Sequence, residues 1–253
     1  RRAEFGSKHP LTNRLGGRLA EFGPRGGDQA ILPGLWGSRW QEFLEAYSLA
    51  VAPVTNQQYG EFIRDGGYSE SSYLSEVAWR WLRESLISAP AFWSSPDWGN
   101  PGRPVVGVSL YEAQAFCKWM SVRTGKPFRL PTEWEWEHAA SPDGRRWPWG
   151  DESELTTRAN TLESGIGATS VVGLFNQGGF FDLAGNVWEW TGSIFTGYRV
   201  STGVEREARG FTTYVIRGGS WLNDRTHAMA ANRDHYPPFE RHSDLGFRVA
   251  LDD

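Results

Sequence analysis

RLPTEWEWEHAA, residues 129–140, is the last stretch of the chain that reads as a helix, and the contrast between its two sides decides the fold. Thr132 and Glu135 stand as a capping box, the hydroxyl serving the amide three residues on and the carboxylate reaching back to the cap. Two further helices precede it. Ser109 and Glu112 repeat the box, Ala113, Phe116, Cys117 and Met120 form an apolar stripe, and Gly125 ends it. Earlier still, Thr55 caps a segment in which Tyr59, Phe62 and Ile63 recur at helical spacing until Gly66-Gly67 stops it. Beyond Ser141 helical spacing does not return. The pieces Thr169–Leu174, Val187–Thr191, Tyr214–Ile216 and Gly246–Leu251 read as short strands divided by Gly, Asn and Asp turns. Helices first and strands later predict an α+β fold with few short helices and many short antiparallel strands.

The 253 residues suffice for a sizeable core. The 14 Trp and 30 Gly point to a turn-rich architecture in which each buried indole N–H needs a partner. A net charge of −4 lacks the basic footprint that neutralising phosphates requires, so nucleic acid is not an expected partner. The single cysteine, Cys117, excludes an internal disulfide framework and a cysteine-based zinc site, and on its apolar stripe it reads as a buried small hydrophobe. No apolar run approaches the roughly 20 residues of a membrane span, and no GxGxxG or Walker-type loop follows a strand. The Arg-rich start lacks the apolar region of a secretory signal, EFGS at residues 4–7 resembles a cloning remnant, and localisation stays open. Residues 1–30 read as an N-terminal arm, with order beginning near Ile31, and residues 31–253 as one domain.

Seven stretches in order, PVTNQQYGEFI, PVVGVSLYEAQAFCKWM, RLPTEWEWEHAA, WPWGD, LAGNVWEW, VIRGGSW and LGFRVA, resemble the formylglycine-generating-enzyme-like (sulfatase-modifying factor) domain, a variant of the C-type lectin fold. They cover roughly residues 50–251. A fold of this kind hosts unrelated jobs, so the site has to be argued separately. For the copper-dependent oxidase of the family, the resemblance implies a cysteine pair after the RGGS motif. Residues 221–244 contain no cysteine, which leaves neither a thiolate metal site nor a nucleophile there. DGGYSESSYLSEVAWRW (65–81) and APAFW (89–93) resemble the iron-dependent sulfoxide synthases of ergothioneine-type pathways. Their iron sits on three histidines supplied largely by an N-terminal helical bundle. This chain has five histidines, no HxxxH and no room for such a bundle; His138 reads as structural and His9 falls in the arm. A degenerate or accessory relative of those synthases is the alternative function.

The third job in the family is that of the variable proteins of diversity-generating retroelements, and ANRDHYPPFERHSDLGFRVA, residues 231–250, resembles their C-terminal region. In those systems AAY codons for Asn scatter into NNY codons, which encode Asp, His, Tyr, Ser, Phe and Leu but never Lys, Gln, Glu, Trp or Met. Writing Asn at Leu222, His227, Asp234, His235, Tyr236, Phe239, His242, Ser243 and Asp244 gives a template-like sequence between RGGSW and LGFRVA. With Asn223, these residues are the expected ligand-binding set within a variable region at about 217–253. Aromatic side chains offer contact area at low entropic cost, Asp, His and Ser offer adaptable hydrogen bonds, and Pro237-Pro238 stiffen the display. The expected function is therefore non-enzymatic binding of an unidentified protein or surface ligand, with no cofactor required. A solvated loop without a ligand is the competing reading. The resemblance also implies a structural calcium on oxygen ligands at Asn160, Asn186 and Glu189. Set against it, Asn186 reads as a turn residue after Gly185, and Glu189 as a strand residue or the partner of a nearby cation.

Overall fold

Both expected capping boxes close in the computed structural model, which describes residues 19–22, 29–33, 39–151, 158–197 and 212–252, and Thr55 adds a third. Helix α1 (Asn56–Arg64) begins where Gln58 Oε1 accepts the Thr55 N–H at 2.8 Å, and it buries Tyr59 and Phe62. Helix α2 (Glu76–Glu84) has no counterpart among the expected elements; Ser75 caps it, and only Ala78 and Leu82 are buried, too few to set a period. Helix α3 (Leu110–Thr124) is held by Ser109 and Glu112 and ends at Gly125 in the left-handed conformation, and α4 (Glu133–Ala140) is held by Thr132 and Glu135.

The strands are β1 (Leu19–Phe22), β2 (Gln29–Pro33), β3 (Arg39–Phe43), β4 (Tyr47–Ala50), β5 (Phe128–Arg129), β6 (Asn176–Gln177), β7 (Phe180–Phe181), β8 (Trp188–Ile194), β9 (Tyr214–Arg217), β10 (Arg233–Tyr236), β11 (Leu245–Phe247) and β12 (Ala250–Asp252). They form one antiparallel sheet ordered β1-β4-β12-β5 and a second ordered β10-β9-β8-β11, in which only β11 runs parallel to its neighbour β8; β2-β3 and β6-β7 pair separately. β1 lies within the residues expected to be an arm, and β2 starts at Gln29 rather than Ile31. Four residues joined to β4 by backbone pairing leave too short a pattern to read. Residues 1–18 and 23–28 of the expected arm lie outside the described residues.

Two strand expectations change. Residues 169–174 form no strand: Ser170 N–H donates to Asn186 Oδ1, Val172 N–H to the Gly102 carbonyl and Gly173 N–H to Asp182 Oδ2, so side chains and a distant loop replace a ladder. The single strand expected at Gly246–Leu251 is two, β11 in the second sheet and β12 in the first, with Arg248 at the crossing. Every residue from Leu245 to Leu251 is buried, so no alternation marks the break.

The larger core lies between α1, α3 and the second sheet, where Tyr59, Phe62, Phe116, Trp119, Trp190 and Phe247 meet, Tyr59 stacking on Phe116 at 5.5 Å. A second core gathers Tyr47, Leu49, Trp136, Phe180 and Leu183. Two fully buried indoles find acceptors, Trp136 Nε1 at Glu189 (2.8 Å) and Trp190 Nε1 at the Val108 carbonyl (2.9 Å), whereas the buried Trp221 Nε1 has none among the described residues.

Candidate ligand-binding face

Side chains alternate across a strand, and β10 divides the first expected triplet accordingly. Asp234 and Tyr236 stand opposite Ile216 and Tyr214 of β9, on the side of Trp190, whose ring is 6.5 Å from that of Tyr236. His235 points to the other side and stacks on Phe195 at 3.9 Å. The triplet expected in a display loop is thus an edge strand with two faces. Beyond it, Pro237–Glu240 turn back, closed by the Glu240 N–H donating to the Pro237 carbonyl. The His242 ring returns to within 4.7 Å of Tyr236, with Nε2 3.1 Å from a Glu240 carboxylate oxygen.

Asn223 and His227 reach the same side through Trp188, two residues before Trp190, while the Leu222 N–H donates to Ser220 Oγ. Asn223 Oδ1 accepts the Trp188 Nε1–H at 2.8 Å, and the His227 ring lies edge-on to Trp188 at 6.4 Å. Asp244 closes the ring of contacts by accepting the Ser220 hydroxyl at 2.7 Å, and Ser243 sits half-buried beside it. None of the ten expected residues is buried; Leu222 (48% exposed) and Phe239 (36%) are the most open. Burial first, and then the negative charges of Asp234, Asp244 and Glu240, raise the Tyr236 hydroxyl above its ordinary pKa, so these carboxylates converge on one aromatic ring. Two open clefts, one of about 550 Å³ beside Trp98 and Arg103 and one of about 360 Å³ beside Lys118 and Thr132, are lined by none of the ten.

Residues between the expected positions do the holding. Arg241 donates to the Gly107 carbonyl (3.0 Å), to the Ala89 carbonyl and to Glu112 (3.2 Å). Glu112, the buried box residue of α3, also takes the Tyr68 hydroxyl at 2.5 Å. Arg233 pairs with Glu133 at 3.0 Å, and the Asn232 amide donates to the His227 carbonyl. Gly246 admits no side chain, since a Cβ there meets the Val105 carbonyl oxygen at 2.6 Å. Nothing in the sequence marked Arg241, and Glu112 was legible only as a capping-box residue, not as the buried partner of Arg241.

The profile of the sulfatase-modifying factor enzyme 1-like domain matches residues 29–253. The chain belongs to that family. Its relatives include hercynine oxygenase of Mycobacterium tuberculosis, 33% identical over 82% of this chain and 53% of that protein, and the bovine inactive C-alpha-formylglycine-generating enzyme 2, 29% identical over 82% of this chain and 77% of that protein. The chain spans about half the length of the hercynine oxygenases it matches. Among solved structures, Treponema denticola variable protein 1 superposes with a TM-score of 0.67 at 24% identity, covering 93% of this chain and 96% of that one. PvdO from Pseudomonas aeruginosa superposes with a TM-score of 0.71 at 20% identity over 100% and 99%. These likenesses establish the formylglycine-generating-enzyme-like variant of the C-type lectin fold.

The calcium ligands implied by the family resemblance are not gathered as a cage. Asn160 and Asn186 do meet, but their side-chain oxygens are occupied: Asn160 Oδ1 takes the Ser164 hydroxyl, and Asn186 Oδ1 takes the Ser170 N–H at 2.9 Å and the Asn160 amide at 3.3 Å. Asn186 has φ 66°, a turn conformation asparagine tolerates. Glu189 faces elsewhere, bidentate to Arg248 at 2.6 and 2.7 Å with both side chains fully buried. These three residues therefore do not fit a shared calcium, and Glu189 is the partner of a cation. Of the family's metal chemistries, the thiolate kind has only Cys117 to draw on, and burial pushes that thiol far up. Among the described residues no three His, Cys, Asp or Glu side chains are grouped to hold a metal. His138 sits half-buried beside the Tyr47 hydroxyl, 3.3 Å away, and burial lowers its pKa. No helix among the described residues is long and apolar enough to cross a membrane.

Proposed function

We propose that this family member is a non-enzymatic ligand-binding protein whose C-terminal region is diversified by a retroelement. One observation carries the reading: along residues 222–244, the positions that a scattered Asn codon reaches are none of them buried, and all but His235 lie away from the Phe195 side, while Arg233 and Arg241 hold the segment to the scaffold. Among the described residues, Leu222, Tyr236 and Ser243 make no side-chain hydrogen bond to the scaffold that another residue type would break. Asn223 and Asp244 are the exceptions, since Trp188 Nε1 and Ser220 Oγ depend on their oxygens. The fold is one that Treponema denticola variable protein 1 also uses, which makes the reading compatible with the scaffold; the residues carry the function.

Deep sequencing of codons 217–253 across a population of the source genomes tests this directly. Variation confined to the codons of Leu222, His227, Asp234, His235, Tyr236, Phe239, His242, Ser243 and Asp244, always NNY, is the expected result, and a uniform sequence overturns it. The 33% identity to hercynine oxygenase favours a second reading, an accessory relative of the sulfoxide synthases. Stoichiometric ferrous iron in protein reconstituted anaerobically supports that alternative.

A further inference from the structure

We propose that the binding face continues past the C-terminal run onto the fixed aromatic residues Tyr111, Tyr214 and Trp81, and that its occupant is a lysine- or arginine-bearing segment of a protein. This rests on the binding role proposed above, and it adds residues and a partner chemistry that the run itself does not specify. Tyr214 is the cross-strand partner of Tyr236, so the two rings stand side by side on the Trp190 face. Tyr111 follows Leu110 at the start of α3, and the Leu110 N–H donates to the Pro238 carbonyl at 3.0 Å, which brings this end of the helix to the Pro-Pro turn. The Trp81 ring, from α2, lies 5.4 Å from that of Tyr111. Tyr111, Tyr214, Tyr236 and Trp81 are all half-exposed. Among the described residues none of the three tyrosyl hydroxyls has a hydrogen-bond partner. The rings thus form a continuous wet aromatic surface on two helices and a sheet edge.

Charge selects the occupant. Asp234, Glu240 and Asp244 border this surface, and the nearby guanidinium groups are committed, Arg241 to Glu112 and Arg233 to Glu133 on the opposite face. Aromatic faces with carboxylates at their edge attract an ammonium or guanidinium by cation–π contact and charge-assisted hydrogen bonds, and repel an acidic chain. The partner is therefore a basic protein segment.

Fluorescence polarisation with a labelled lysine–serine peptide and a glutamate–serine peptide of equal length, at physiological salt, tests the proposal. The basic peptide binds and the acidic one does not. Tyr111→Ala and Asp234→Asn each weaken binding by about threefold or more, whereas Glu45→Gln, which removes one exposed carboxylate outside the face, changes it little. Asp234→Asn keeps the oxygen that accepts the His235 N–H, so it reads charge without unfolding the edge strand. Equal binding of both peptides, binding of neither, or a Glu45→Gln effect matching that of Asp234→Asn overturns the proposal. Codon variation confined to the run, with no basic-peptide binding, sinks this inference and leaves the display reading standing. Uniform codons with selective basic-peptide binding sink diversification and support the face described here.

Discussion

The crossing of the two sheets at Arg248 and the surface run ending at Asp244 are neighbours in the sequence and opposites in physics. At the crossing, Arg248 spends its guanidinium on Glu189 and on the carbonyls of Ala50 and Phe181 (both 3.0 Å), while Glu189 also receives Trp136 Nε1. The Arg248, Glu189 and Trp136 side chains are fully buried there. In the run, half-exposed side chains lean on one another through ring contacts, and most of the fixed bonds belong to Arg233 and Arg241. A buried, fully bonded charge tolerates no substitution because its partners lose their only counter-group, whereas a surface ring costs little to exchange. The fold therefore concentrates its determinants in a few ion pairs and leaves the adjacent face open to variation.

The largest expected effect is at the crossing. Arg248→Met leaves the Glu189 carboxylate buried without its cation and is expected to cost about 3–5 kcal/mol, measured by urea unfolding. A loss under about 1 kcal/mol breaks the contrast, since the crossing is then no more demanding than a surface site. Next comes the anchor of the run. Arg241→Ala removes bonds to two carbonyls and to Glu112, with an expected loss of about 1.5–3 kcal/mol. Burial already raises the Glu112 carboxyl above its ordinary value, and Arg241 is the first influence opposing it. Without Arg241 the folded state holds that proton more tightly than the unfolded chain does. The variant's deficit is then smallest below the ordinary carboxylate range and grows as pH rises from that range to neutrality. A deficit that shrinks as pH rises contradicts this placement of Glu112.

Much of the scaffold was legible because local signals agree with it. Three caps, the Gly125 stop and the Val187 and Tyr214 strands each rest on residues close in sequence, where capping and turn chemistry act. What escaped depends on distant partners. Helix α2 shows a single buried stripe of two residues, β1 exists through its pairing with β4, and the break in LGFRVA lies inside a wholly buried run. The one charged residue in that run, Arg248, was the trace of the crossing. In the candidate face, the location of the run was legible, but its division by β10 was not. Asp234-His235-Tyr236 has no apolar alternation to reveal a strand, although a period of two is what sends His235 away from its neighbours.

That division sets the smallest and most discriminating expectation. Leu222→Asn, Phe239→Asn and Ser243→Asn restore the template-like residue at outward positions, and each is expected to change stability by no more than about 0.5 kcal/mol. His235→Asn removes a ring stacked on Phe195 at 3.9 Å and is expected to cost about 0.5–1.5 kcal/mol, although it belongs to the same triplet as Asp234 and Tyr236. Thermal melts of the four variants side by side decide between two pictures. If the outward three are neutral and His235→Asn is not, the run is a varied surface with one residue drawn into the packing of the opposite face. Losses above about 1 kcal/mol at Leu222, Phe239 and Ser243 make the run part of the fold's own support, and a segment that the fold needs cannot be spared for scattering codons.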